Sequence, residues 1–254
     1  MEGDRITRAE TRRPDMRYPF PPDFAARLAG QTVHAVQRRA KYLLLELSSG
    51  ELVLMHLGMS GSFRVLAHGE GLDKHDHVVF EMASGRRVAF NDPRRFGFVK
   101  LLPADTGVSG EATFGALGPE PLSRAFTADG LAASLRNRKT SLKAALLDQR
   151  VVAGLGNIYV VEALHRARLS PKRRASTLVT RSGQPRRELH ALVAAIREVL
   201  KDAIANTHRP YGEDDRFRVY DHEGGRCPRR GCSGIIKRIV QAGRSTFFCP
   251  VCQR

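Results

Sequence analysis

Four cysteines fall in the last 28 residues of the chain, and their spacing limits what that segment can fold into more than any other feature does. Cys227-x4-Cys232 is followed, after sixteen residues, by Cys249-x2-Cys252. Each close pair can aim two thiolates at one point, as a tetrahedral zinc ion requires, and bound zinc would organise a hairpin too small to fold alone. Two disulfides in a secreted domain are the competing use of the same residues. No signal-peptide pattern opens the chain and no other cysteine exists, so the expectation is one structural zinc ion in a reducing compartment.

A length of 254 residues is enough for two compact units besides such a module. Lys and Arg number 42 against 26 Asp and Glu, a formal charge of +16, with arginine spread through every region. A field of that sign favours polyanions, nucleic acid first and an acidic membrane surface second. No apolar run approaches the ~20 residues of a membrane span, and neither end carries a basic amphipathic anchor. An intracellular nucleic-acid-binding protein without a membrane partner is therefore expected.

Residues 31–102 read as short strands. The runs 41–47 and 52–56 flank a Ser-Ser-Gly-Glu turn, 77–82 and 87–90 flank Ala-Ser-Gly, and 96–102 continues the sheet. This predicts a β-sandwich or barrel. Residues 106–124, rich in Gly and Pro, read as a linker. Beyond them apolar residues recur at three-and-four spacing over 131–135, 142–147, 158–164 and 189–204, which predicts helices. The expected architecture is α+β and multidomain: a β-sandwich over 1–118, a helical domain over 119–220 and a zinc hairpin over 221–254.

Several clusters suggest chemistry. Gly154-Leu-Gly-Asn157 opens a helix, with Asn157 as its expected N-cap, and a helix N-terminus approached through glycines suits a phosphate. Arg136, Arg138, Lys139 and Lys143 lie just before it, so a helix-two-turns-helix element gripping a nucleic-acid backbone is the reading. Asn91-Asp-Pro-Arg-Arg-Phe-Gly97 predicts a rigid loop tip on which Arg94, Arg95 and Phe96 protrude, unless Phe96 turns into the core. Within His56-Leu-Gly-Met-Ser-Gly61 two glycines hold Met59 as core filler or as an apolar wedge. Lys41, at the start of a strand, is a candidate amine nucleophile or proton carrier. His75, His77 and Asp92 are weighed as a divalent-metal nuclease site, but no further acidic cluster supports them.

Taken together and in order, Gln37–Leu47, His56–Ser62, His75–His77, Asn91–Gly97, Leu117–Pro121, Gly154–Tyr159 and Gln241–Cys249 resemble the formamidopyrimidine-DNA glycosylase/endonuclease VIII family. The resemblance implies a bacterial base-excision DNA glycosylase and abasic-site lyase. It would flip oxidised purines such as 8-oxoguanine out of damaged double-stranded DNA. It further implies a monomer in the cytoplasm, associated with the nucleoid. Lys41 matches the family's catalytic lysine, which helps protonate departing groups, and Arg244 the hairpin arginine that grips the backbone and assists elimination. Met59, Arg94 and Phe96 match the trio that fills the space left by the flipped base. His56, Lys143 and Asn157 match phosphate contacts, while His75, Arg94 and Arg138 or Lys139 match further DNA contacts. Cys227, Cys232, Cys249 and Cys252 match the zinc ligands, although the first pair is spaced more widely than the commonest family pattern.

Two departures stand beside the match. The family opens with a proline, whose secondary amine attacks C1′, and a glutamate; this sequence opens Met1-Glu-Gly-Asp-Arg-Ile6. Pro14, Pro19, Pro21 and Pro22 cannot stand in, because their nitrogens are amides. Glu10 to Arg13 faintly echoes the opening helix, yet the residues that follow fit a later strand. The expectation is that Met1 is an internal methionine of a longer reading frame; the alternative is a catalytically impaired binder of damaged DNA. The second departure is 206–216, which looks too short for the loop that covers an extruded base.

Overall fold

Leucine and β-branched residues in short runs, broken by turns, build the first of two units, Met1–Gly115. The computed structural model describes residues 1–105, 112–206 and 217–254. Eight strands form two antiparallel sheets of four. One runs β1 (Ile6–Thr11), β6 (Asp76–Met82), β7 (Arg87–Asn91), β5 (Ser62–Leu66). The other runs β2 (Val33–Arg39), β3 (Tyr42–Leu47), β4 (Leu52–His56), β8 (Phe98–Leu102). Ile6, Val78, Phe80 and Phe90 from the first meet Leu45, Val53, Met55, Val99 and Leu101 from the second in one buried layer. Burying each such side chain stabilises the fold by about 1.5–3 kcal/mol, and two sheets sharing one layer make the expected sandwich.

Three local features differ from the sequence reading. Glu10 to Arg13, the faint echo of a helix, is not helical: residues 6–11 are a strand, and β1 pairs along β6 from Ile6–Met82 to Thr11–Val78. A five-residue helix, α1 (Phe24–Leu28), buries Phe24 and Leu28, and is too short to show a helical period. Lys41 sits with Ala40 on the two-residue turn between β2 and β3 rather than within a strand, and Ala40 takes a left-handed φ of 54°. An apolar groove lined by Val36, Leu43, Phe63 and Val65 opens on this unit, with Val65 68% exposed.

The described part of the expected linker includes one short turn of helix, α2 (Ala112–Gly115). The second unit, Ala116–Arg254, contains α3 (Ala128–Leu135), α4 (Leu142–Leu147), α5 (Asn157–Arg166) and α6 (Arg187–Ala205). Thr127 and Ser141 cap α3 and α4 by accepting the Gly130 and Ala144 N–H groups. Leu131, Leu142, Leu146, Val160, Leu164, Leu192 and Ile196 share one core, so the predicted apolar stripes do meet. Between α4 and α5 the chain makes two turns. Gln149 spans them, accepting Gly154 N–H at 2.8 Å and donating to the carbonyls of Leu147 and Leu155. Gly154 has φ 78°, which a side chain would strain.

The N-cap of α5 is Gly156, not Asn157; Asn157 is already helical, and its amide reaches elsewhere. Beyond α6, β9 (Lys237–Gln241) and β10 (Arg244–Phe248) pair around Ala242 and Gly243, both left-handed as a type I′ turn requires. The expectation about 206–216 lies, from 207 onward, outside the described residues. No helix among the described residues is long and apolar enough to cross a membrane.

Candidate nucleic-acid interface and metal site

In the first unit a single buried carboxylate ties two loops together. Asp92 has no exposed surface. Its Oδ1 accepts from Ser60 Oγ at 2.5 Å, its Oδ2 from Gly97 N–H at 2.8 Å, and its carbonyl meets His77 Nε2 at 2.9 Å. Arg94 N–H also donates to Ser60 Oγ. The loops touch so closely that glycine is required at the seam. A Cβ on Gly58 would lie 2.5 Å from Gly97 N, and one on Gly97 would lie 2.8 Å from His56 O. Each loop raises an apolar residue from this seam: Met59 is 70% exposed and Phe96 44%. The Arg94 guanidinium covers the Phe96 ring at 4.8 Å, so of the two placements weighed for Phe96 the protruding one is found.

His56 ends β4 with its ring parallel to Phe98, 9° apart, and its Nδ1 accepts Gly58 N–H at 2.9 Å. That contact leaves the proton on Nε2. Burial, then the charges of Lys41 and Arg17, lower the His56 pKa, so the neutral donor persists at pH 7. Lys41 is exposed on its turn. His75 is half-buried and edge-on to His77, whose buried ring holds the Asp92 carbonyl. The His75, His77 and Asp92 set is thus a structural brace; the one metal-competent cluster among the described residues is elsewhere.

In the second unit the anchor is a buried cation. Lys143 has no exposed surface, and its ammonium donates to Thr246 Oγ1 at 2.5 Å, to Ser245 O at 3.1 Å and, more weakly, to Arg244 O at 3.5 Å. Burial, then the nearby Arg244 charge, pull its pKa down to about 8. Asn157 Nδ2 donates to Ser245 O at 3.0 Å. Lys143, expected at a phosphate, lies behind β10 with its ammonium taken up by the hairpin, while Arg244 is exposed beside the turn. Arg138 is likewise occupied, paired with Asp148 at 2.9 Å and bonded to Ser134 O, whereas Lys139 is exposed. Arg150, and to a lesser degree Arg138, hold the Asp148 carboxyl down at about 2.

The four cysteines converge, with their sulfur atoms all within 4.8 Å of one another. Cys227 and Cys252 are 3.8 Å apart and Cys232 and Cys249 3.6 Å, far beyond a bond of about 2.05 Å. A tetrahedron with Zn–S near 2.3 Å has edges of about 3.8 Å, so the donor set fits zinc and excludes the disulfide reading. Gly234 N–H points at Cys232 Sγ, and a Cβ on Gly234 would lie 2.4 Å from Cys249 Sγ. Zinc held here supplies structure to the hairpin that carries Arg244.

Sequence reasoning overlooked Ser60 and Thr246, which carry the anchoring bonds, and saw Asp92 only as a possible ligand. It also missed Glu162, a buried carboxylate on α5 that accepts the N–H groups of Arg218, Val219 and Tyr220, each at 2.9 Å. A charged residue on the apolar face of a helical stripe was the available signal. His165, one turn further on, is buried with Nε2 3.4 Å from Cys227 Sγ. Burial, then Arg229, Arg218 and Arg166, draw its pKa down to about 4.

The formamidopyrimidine-DNA glycosylase N-terminal domain family matches residues 1–99, and that enzyme's H2TH domain family matches 117–211. A zinc-finger family found in FPG and IleRS matches 224–254. The formamidopyrimidine-DNA glycosylase of Rhodopseudomonas palustris (strain HaA2) is 56% identical over 276 residues, covering 100% of this chain and 94% of its own. That of Bradyrhizobium sp. (strain BTAi1) is 54% identical over 277 residues with the same coverage, 100% and 94%. Among solved structures, the Lactococcus lactis enzyme bound non-covalently to DNA containing an AP site superposes with a TM-score of 0.87 at 30% identity, covering 100% of this chain and 94% of that one. MutM in complex with DNA containing carbocyclic 8-oxo-G gives a TM-score of 0.87 and 30% identity with coverage of 100% and 94%. On domain content, identity and fold together, this chain belongs to the formamidopyrimidine-DNA glycosylase family.

Proposed function

We propose that the chain acts in base-excision repair as a DNA glycosylase and abasic-site lyase. Its substrates are oxidised purines, 8-oxoguanine and formamidopyrimidines, in duplex DNA, and it nicks the strand by β,δ-elimination. The observation that carries this reading is the Asp92 node, which fixes Met59, Arg94 and Phe96 on two locked loops. A flipped nucleotide leaves a gap in the stack, and a thioether, a guanidinium and a ring held in advance can fill it without ordering loops at that moment. His56 offers a neutral Nε2–H, and Arg244 a charge, to phosphates; His75 and Lys139 add further contacts. Lys143, Asn157 and Arg138 act by holding these groups in place. Lys41 carries protons to the departing groups. The protein works as a monomer in the bacterial cytoplasm, beside the nucleoid.

In the reaction the resemblance implies, an amine replaces the base at C1′, and the resulting imine acidifies the C2′ proton so that both phosphates leave in turn. Borohydride reduces that imine and so traps it. Protein made in its native cell, its N-terminal residue established by mass, is mixed with a duplex carrying one 8-oxoguanine and borohydride, without magnesium. A covalent adduct, and nicking when borohydride is omitted, are expected. Neither adduct nor released base, with no preference for the lesion duplex, would overturn the reading. Tight lesion binding without base release would support the binding-only alternative instead.

A further inference from the structure

Helix α5 holds the C-terminal segment at three levels: Asn157 at its first turn bonds β10, Glu162 in the middle bonds residues 218–220 that lead into the cysteine module, and His165 near its end meets Cys227. The third contact is unusual, because the one hydrogen-bond partner of the buried His165 ring among the described residues is a sulfur. Its Nε2 lies 3.4 Å from Cys227 Sγ, and its Nδ1 is buried with no partner among the described residues. We propose that His165 donates its Nε2–H to the Cys227 thiolate and so governs how firmly the zinc is held; it is a positioning residue for the metal site. A zinc-bound thiolate carries no proton, so the hydrogen in this contact must come from the ring. With the proton on Nδ1 instead, that N–H would be buried without an acceptor and the Nε2 lone pair would face the sulfur lone pairs, leaving two polar groups unsatisfied.

A second observation points the same way. Arg229, two residues beyond Cys227 within the widened Cys227-x4-Cys232 spacing, donates to the carbonyls of His165 at 2.6 Å and of Arg166 at 3.2 Å. The first cysteine loop therefore grips the backbone of the same residue whose ring meets its sulfur, which fixes both ends of the contact. Four thiolates on one zinc ion leave two net negative charges, and each N–H aimed at a sulfur disperses part of that charge. Gly234 N–H serves Cys232 in this way, and His165 serves Cys227.

Wild-type protein provides a test that does not depend on a variant folding. Zinc content is measured first: a folded protein holding no zinc would overturn the metal reading and this inference with it. Long-range proton–nitrogen correlation should then show His165 protonated on Nε2, with scalar coupling from that proton to cadmium-113 substituted for zinc. A proton on Nδ1 would overturn the proposal while leaving the zinc reading intact. Among variants, H165F keeps the ring and removes the donor, and H165Q restores an N–H near the Nε2 position. Zinc transfer from H165F to a chelator should be at least about tenfold faster. Its cobalt form should show the thiolate-to-metal charge-transfer band at lower energy, with H165Q restoring both properties. Faster release with an unshifted band would mean that His165 only fills space, and would also refute the proposal.

Discussion

The two protruding turns of this protein are held by opposite charges. In the sandwich the loops 57–61 and 92–97 close around a buried carboxylate, and Asp92 collects an O–H and an N–H. In the second unit the turn after β9 is backed by a buried ammonium, and Lys143 collects two carbonyls and a hydroxyl. The contrast follows from which backbone groups each turn leaves over. Loops packed edge to edge present unused N–H groups and need an acceptor. A two-stranded ribbon presents the outer carbonyls of β10 and needs a donor. The sandwich loops draw their remaining support from a large apolar core, whereas the hairpin has little core of its own and depends on four cysteines.

Removing the metal is the sharpest way to break this symmetry. Zinc supplies about 10–16 kcal/mol of apparent binding energy in comparable small modules, so a strong chelator should disorder 227–252 and abolish tight DNA binding. The sandwich should stay folded, as amide exchange in β3, β4 and β6 would report. Next in size is Gly58→Ala, whose Cβ would press on Gly97 N at a φ of 68°. That change should cost lesion affinity without touching zinc content, checked by duplex titration beside metal analysis.

Asp92→Ala and Lys143→Met should each cost about 1–3 kcal/mol, because partners of both are left buried and unpaired. They differ in what fails: Asp92→Ala should erase discrimination between damaged and intact duplex, Lys143→Met the grip on the backbone. Affinities at several salt concentrations separate the two, since each lost phosphate contact flattens the salt slope by about 0.9. A further effect is in pH. Lys143 titrates at about 8 when folded against 10.5 ordinarily, so between those values the unfolded chain binds more protons and stability gains from rising pH. Denaturant melts of wild type and Lys143→Met across that window should diverge in slope, the wild type rising more steeply.

Much of this was legible in the sequence because it is periodic or punctuated. Helices α3 to α6 announce themselves by leucine spacing, the strands by turns, and the zinc set by cysteine pairs. β1 and α1 were not legible: a polar edge strand and a five-residue helix leave no period to read. Nor were the anchors. Nothing local distinguishes Lys143 from the exposed Lys139 four residues earlier, because its burial depends on a hairpin about 100 residues away. Asp92 looked like a ligand for the same reason; its partners Ser60 and Gly97 belong to two separate loops.

The central claim is that locked loops fill the space a flipped nucleotide leaves. It is tested most directly by titrating the wild type and a Met59→Ala, Phe96→Ala double variant against duplexes with and without an abasic-site analogue. The account predicts that the wild type prefers the abasic duplex, and that the double variant loses this preference while its salt slope stays the same. An undiminished preference in the double variant would contradict it.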